Sequence, residues 1–227
     1  MPSYADSGLS PDDAWHLAYY VASLHRPPQW NMILHPMRIE GALPMSTDDS
    51  RWAAAEHTDV QLRNVVNANG EWAAPPTVRA VGFEAVYNET DIAIRLTWDD
   101  PTQETSGPSA DGIAVALKPE GFQGDLVTLQ AWPYQGAPML DLCYWSADPG
   151  AAVESLAADF ERAQSHHAPQ EPLESRAKYD DGRWQLVLHR KLSRFSSLAV
   201  AVWDGGNPET RAVSYWVDMN IKKEIKR

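Results

Sequence analysis

An antiparallel β-sandwich, mainly β with an N-terminal helix and one or two helical insertions, is the fold class predicted by three features of the sequence. Apolar and polar residues alternate strictly over several short stretches, turn-forming residues separate those stretches, and two apolar runs have the length of strands buried on both faces. With 227 residues, 44% of them hydrophobic and 22% charged, the chain can bury one good core.

The first element is the helical exception. Ser10 is placed as N-cap, Pro11 at the first helical position and Asp13 to close a capping box, while Leu17, Tyr20, Val21 and Leu24 share one face; this predicts a helix over residues 10 to 24. Arg26-Pro27-Pro28 ends it, because proline lacks a donor and restricts the residue before it, and the stretch to Pro36 reads as a linker. From Met37 onward the pattern is one of short strands. Asn88-Glu89-Thr90 supplies a turn, after which Ile92, Ile94, Leu96 and Trp98 alternate with Ala93, Arg95 and Thr97. Asp180-Asp181-Gly182 precedes a second alternating strand with Trp184, Leu186 and Leu188 on its apolar face. Gly112 to Leu117 and Leu198 to Trp203 are the two continuous apolar runs, read as central strands. Between them, Ala151 to Ala163 reads as a second helix with Val153, Leu156, Ala157 and Phe160 as its stripe, and Val213 to Ile221 as the last strand. No internal repeat is present.

Charge and composition narrow the function. Nineteen basic against thirty-one acidic residues give a formal charge of −12, so the attraction to phosphate that drives nucleic-acid binding is missing. The lone Cys143 excludes an internal disulfide, a cysteine-based zinc site and the C-x-x-C-H attachment of a c-type haem within the chain. No apolar run is long enough to span a bilayer, and no charged-then-apolar signal segment opens the sequence.

Few residues carry a recognisable chemistry. His166-His167 falls beside Pro-rich sequence and reads as solvated, His16 and His25 lie on the first helix, and His189 is on the polar face of its strand. H-x-x-x-H, H-E-x-x-H and G-x-S-x-G patterns are absent, which leaves a hydrolase reading without a motif. Asp99-Asp100-Pro101-Thr102 follows a strand, where acidic pairs can bind calcium, although an acceptor-rich turn is the preferred reading. Gly205-Gly206-Asn207 reads as a turn, since no helix pattern follows to hold a phosphate. The block from Leu129 to Trp145 holds Trp132, Tyr134, Met139, Tyr144 and Trp145: soft sulfur with aromatic walls suits a haem pocket, and equally a pair of strands with aromatic cross-strand packing.

Five stretches carry a resemblance. Pro44 to Leu62 opens with Asp48-Asp49 and Trp52 in a D-D-x-x-W pattern; Asp91 to Thr102 ends in WDDPT; Asp111 to Leu117 reads DGIAVAL; Tyr144 to Asp148 and Leu198 to Asn207, ending in AVWDGGN, complete the series. In this order and spacing, over about residues 37 to 221, the chain resembles the haem-b γ subunits of ethylbenzene dehydrogenase and related type II molybdoenzymes. The resemblance implies a β-sandwich holding one b-type haem between a Met and a Lys, and passing electrons from an iron–sulfur subunit to an acceptor. By the family's count its axial Lys falls at Ser146, in Tyr144-Trp145-Ser146-Ala147, and its axial Met close to Tyr134. Met139, five residues on, is the candidate substitute ligand, Lys118 the candidate for the other face, and Trp132, Tyr134 and Trp145 complete the expected cofactor-binding set.

Met1 to Leu24, with Met-Pro-x-Tyr ahead of the helix AWHLAYYVASL, is similar to the end of a class I cytochrome c, where Met1 would be the axial haem ligand. The expected organisation is a C-terminal remnant of a cytochrome c-like domain over 1–26, a linker over 27–36 and a haem-binding-type sandwich over 37–227. The implied function is a non-enzymatic, b-type haem electron-transfer module of a periplasmic redox complex, partnered by a molybdoenzyme or iron–sulfur subunit or by a cytochrome c, without a membrane span. The competing reading is a haem-free sandwich used for protein interaction or carbohydrate binding.

Overall fold

Residues 32–64, 75–107, 109–119, 140–157, 170–192, 195–207 and 211–221 are described by the computed structural model. Among them are thirteen strands: β1 (Ile33–Leu34), β2 (Met37–Arg38), β3 (Thr58–Asn64), β4 (Ala80–Tyr87), β5 (Asp91–Asp99), β6 (Gly112–Pro119), β7 (Leu140–Ser146), β8 (Ala151–Ala157), β9 (Gln170–Asp180), β10 (Arg183–Lys191), β11 (Phe195–Trp203), β12 (Arg211–Ser214) and β13 (Val217–Met219). One 3-10 turn, Ser50–Ala54, precedes β3. The helix expected over residues 10 to 24 lies outside the described residues, as does the rest of the cytochrome-like segment 1–26. Ile33 and Leu34, within the stretch read as a linker, pair in parallel with Asp218 and Met219.

The alternating stretches fold as their period requires. Asn88 accepts from the backbone N–H groups of Thr90 and Asp91 and turns β4 into β5. Asp181 and Gly182, both at positive φ, make the two-residue turn between β9 and β10, the backbone hand that matches strand twist. Ile92, Ile94, Leu96 and Trp98 of β5 and Trp184, Leu186 and Leu188 of β10 then face one core. The apolar runs Gly112 to Leu117 and Leu198 to Trp203 pair with each other as β6 and β11, and Ile113 to Leu117 and Leu198 to Val202 are buried on both faces.

Closure is where the architecture departs from two separate sheets. β3 pairs with β4 through Thr58 to Gln61 and with β12 through Leu62 to Asn64. β9 does the same, meeting β8 through Gln170 to Leu173 and β10 through Glu174 to Asp180. These two strands change partner partway along, so the layers are continuous, and the β6–β11 pairing closes a barrel-like ring of β11, β12, β3, β4, β5, β10, β9, β8, β7 and β6. Every pairing in the ring is antiparallel; β2 adds to β4 in parallel, and β13, antiparallel to β11, carries β1 in parallel at its outer edge.

Two expectations are corrected. Ala151 to Ala157 is not the start of a helix but β8, paired along its whole length with β7, from Ser146↔Ala151 to Leu140↔Ala157. Ala, Glu and Leu are good helix formers, but the turn Ala147 to Gly150, with the Gly150 N–H donated to the Ser146 carbonyl, sends the chain straight back along β7. Val213 to Ile221 is two short strands rather than one. The Ser214 hydroxyl accepts from the Val200 N–H and donates to the Tyr215 carbonyl, replacing a ladder bond and breaking the strand between the β12 and β13 registers.

The D-D-x-x-W segment serves the fold. Asp49 caps the 3-10 turn and holds Arg51 at 2.9 Å, Trp52 donates its indole N–H to the Ser46 carbonyl, and Leu43 and Trp52 pack on Val86, Ala93 and Val187, on the outer face of β4, β5 and β10. Arg95 fixes this cover, pairing with Glu84, donating to the Thr47 carbonyl and stacking over the Trp52 ring.

Candidate functional site

Strand period separates two environments around β6, β7 and β11. Ile113, Val115 and Leu117, Cys143 and Trp145, and Leu198, Val200 and Val202 point into the ring, against Phe83, Leu96 and Trp98. Their neighbours point out, and on β6 and β11 these are Ala114, Ala116 and Ala201, buried together with Leu142, Tyr144 and Val213 in a separate apolar cluster. Val153, Trp203 and Trp216 pack against it, Tyr144 and Trp203 edge to face at 5.6 Å. Small side chains at the centre and aromatic ones at the margin make a second apolar layer, an outer floor whose residues are themselves covered in the structure.

Two of the expected site residues belong to this outer face by phase. Ser146 is two residues beyond Tyr144 on β7 and opposite Gly112; Lys118 is two residues beyond Ala116 on β6 and opposite Ser197. Six residues of β6 separate Gly112 from Lys118, about 20 Å of strand, so Ser146 and Lys118 mark opposite ends of the floor. Trp145 points the other way: it is fully buried in the ring, edge to face with Trp98 and Trp184. Trp132, Tyr134 and Met139 lie outside the described residues, and so do Met1, His16, His25 and His166-His167. His189 keeps the polar phase predicted for it, facing Glu174 at 3.3 Å.

A charged cluster was not anticipated from sequence. Arg190 of β10 continues the apolar phase of Trp184, Leu186 and Leu188, and its almost fully buried guanidinium reaches Asp141 of β7 at 2.8 and 3.2 Å and Glu154 of β8 at 2.6 Å. It also lies 3.4 Å from the sulfur of Cys143. Asp141, Cys143 and Glu154 converge as metal ligands would, but the guanidinium already supplies the positive charge there. A charge in phase with an apolar stripe is the sequence signal that would have found it. Burial pushes the Cys143 thiol up to about 12. A thiol reagent at mildly alkaline pH should leave the native protein unmodified and label Cys143 stoichiometrically after unfolding in guanidinium; fast native labelling would contradict this environment.

Comparison with known proteins bears on these faces. No family model matches the chain. It is 26% identical over 200 residues to the chlorate reductase subunit gamma of Ideonella dechloratans, covering 80% of each protein. It is 25% identical over 192 residues, 76% of this chain and 67% of that one, to a candidate respiratory nitrate reductase haem subunit of Haloferax mediterranei. A family 9 carbohydrate-binding module from Caldicellulosiruptor kristjanssonii, solved with glucose, superposes with a TM-score of 0.53 over 86% of this chain and 97% of that one; at 9% identity the likeness concerns the fold alone. In sequence, therefore, the chain is similar to subunits of reductases, a gamma subunit of a chlorate reductase in one case and a haem subunit of a respiratory nitrate reductase in the other.

Proposed function

We propose that the chain is a haem-binding electron-transfer subunit of a reductase complex and has no catalytic activity of its own. The observation that carries this reading is the similarity to a haem subunit over three quarters of the chain, in a protein that buries a second apolar cluster of Ala114, Ala116 and Ala201 with Tyr144, Trp203 and Trp216 on the outer face of the ring. Bound haem would supply a one-electron carrier; the protein's part is to exclude water from it and to place axial donors. A b-type haem is favoured because Cys143 points into the ring, away from the floor, and is buried.

The axial pair departs from the family's. Ser146 has no nitrogen or thioether to offer iron, which leaves Met139 as the proposed ligand and Lys118, at the far end of the floor, as a weaker second. A periplasmic location and a molybdoenzyme, iron–sulfur or cytochrome partner accord with the reductase relatives, and the division at residues 26 and 36 into a cytochrome remnant, a linker and a sandwich is proposed with them. Among the described residues, no helix is long and apolar enough to cross a membrane. The test is reconstitution with haemin. A Soret band and a b-type pyridine haemochrome are expected, and Met139→Ala should remove the low-spin spectrum and lower the potential while the circular dichroism stays unchanged. Failure of the wild-type protein to give a Soret band would sink the haem reading in favour of a haem-free interaction module.

A further inference from the structure

Three motifs that lie far apart in sequence meet at one end of the ring. Asp100 and Thr102 come from the WDDPT segment after β5, Asp111 from the start of DGIAVAL, and Asp204, Gly205 and Gly206 from the turn after β11; Gly205 and Asp111 are 94 residues apart in the chain. Asp111 is fully used as a brace. Its Oδ1 accepts from the Gly205 N–H at 2.9 Å, and its Oδ2 from the Glu104 N–H at 2.9 Å and the Trp184 indole at 3.0 Å. Gly205 is required there, because a Cβ would stand 1.7 Å from the Ser109 carbonyl oxygen.

The brace leaves other carboxylates without partners of opposite charge. Asp100, Glu104 and Asp204 each bring a carboxylate oxygen within 4.8 Å of the other two. Asp100 and Asp204 are almost completely buried; Asp100 Oδ2 and Asp204 Oδ1 have no hydrogen-bond partner. Among the described residues no basic side chain pairs with any of the three. Gly206 clears the space between them: a Cβ there would lie 3.2 Å from Glu104 Oε1, 3.3 Å from Asp204 Oδ1 and 2.5 Å from the Thr102 hydroxyl.

We infer that Asp100, Glu104 and Asp204, with the Thr102 hydroxyl beside them, bind a hard divalent cation, Ca2+ in preference to Mg2+. Donors are all oxygen, which selects against soft metals. Mg2+ wants shorter bonds in a near-ideal octahedron, which a site assembled from two loops meets less well. The cation neutralises buried charge and ties the loop after β5 to the turn after β11. Its effect extends to the haem-ligand position of the resemblance, because the Ala147 N–H bonds the Asp111 carbonyl at 2.8 Å and Asp148 accepts from the Gly107 N–H at 2.7 Å.

The test uses the full chain stripped with EDTA and titrated with CaCl2, its thermal unfolding followed by circular dichroism. At a hundredfold excess over Kd, Ca2+ should raise the midpoint by about 5–10 °C, and Mg2+ by less. Tb3+, a luminescent stand-in for Ca2+, should show indole-sensitised emission that Ca2+ competes away. Glu104→Gln, at a half-buried position whose only side-chain bond is to Thr102, and Asp204→Asn should fold and lose both responses. A wild-type protein with neither a saturable rise nor sensitised emission would overturn the site, as would responses equal in the wild type and the variants. Unfolding that follows pH but ignores Ca2+ would assign the neutralising charge to a shared proton instead, and equally overturn it.

Discussion

Arg190→Ala is expected to cost about 3–5 kcal/mol of stability. The guanidinium is the only link of its kind between β10 and the β7–β8 hairpin among the described residues, strands that do not pair with each other. Removing it leaves Asp141 and Glu154 facing one another across a space that water enters only in part, since their side chains keep 21% and 34% exposure. That residual hydration puts the expected cost at the lower end, about 3 kcal/mol, or about 6–12 °C in Tm for a chain of this size. Arg190→Lys should recover part of the loss, because an ammonium restores the charge but not the fork that holds both oxygens of Asp141. Urea unfolding provides the measurement, with a lower midpoint at unchanged slope. A loss under about 1 kcal/mol would show that the pair behaves like an exposed one.

The same residue shows what the sequence could and could not disclose. The phase of β10 was legible from Trp184, Leu186 and Leu188, and that phase already places Arg190 inside; its partners are invisible, because Asp141 and Glu154 are brought to it only by the ring's topology. β5 and β10 were legible for a related reason: each has one buried face, and a period of two is enough to identify it. β8 was not. Ala151 to Ala157 has the residues of a helix and becomes a strand only because β7 and β9 flank it. Nor was ring closure, which depends on β3 and β9 changing partner along their length. The acidic turn at Asp99 to Thr102 was read as a turn rich in acceptors, a fair description of Asp100 and Thr102 alone. Its second half, Asp204 and Gly206, sits at the far end of the chain, and spacing in sequence carries no trace of their proximity.

The outer floor leads to a gain-of-ligand prediction, Ser146→Lys. Ser146 faces the same side of the sheet as Tyr144, between Gly112 of β6 and Ala151 of β8, so its flanks are the smallest side chains available. A lysine there has only Gly112 and Ala151 across its pairings, with the Tyr144 ring lying over Gly112 beside it, and its four methylenes are long enough to carry the amine past that ring toward Ala114 and Ala116. Against apolar surface the ammonium loses solvation, which lowers its pKa and frees the nitrogen lone pair for iron. Haem bound to the variant is therefore expected to be six-coordinate and low-spin, with affinity at least tenfold above wild type, equivalent to about 1.4 kcal/mol from one added axial bond. Absorption and electron paramagnetic resonance spectra of the reconstituted protein decide the matter. If wild type gives no Soret band and Ser146→Lys does, the floor is a haem site that has lost a ligand. If both bind haem with identical spectra and equal affinity while remaining folded, position 146 does not face the iron, and the haem must be sought off the alanine floor.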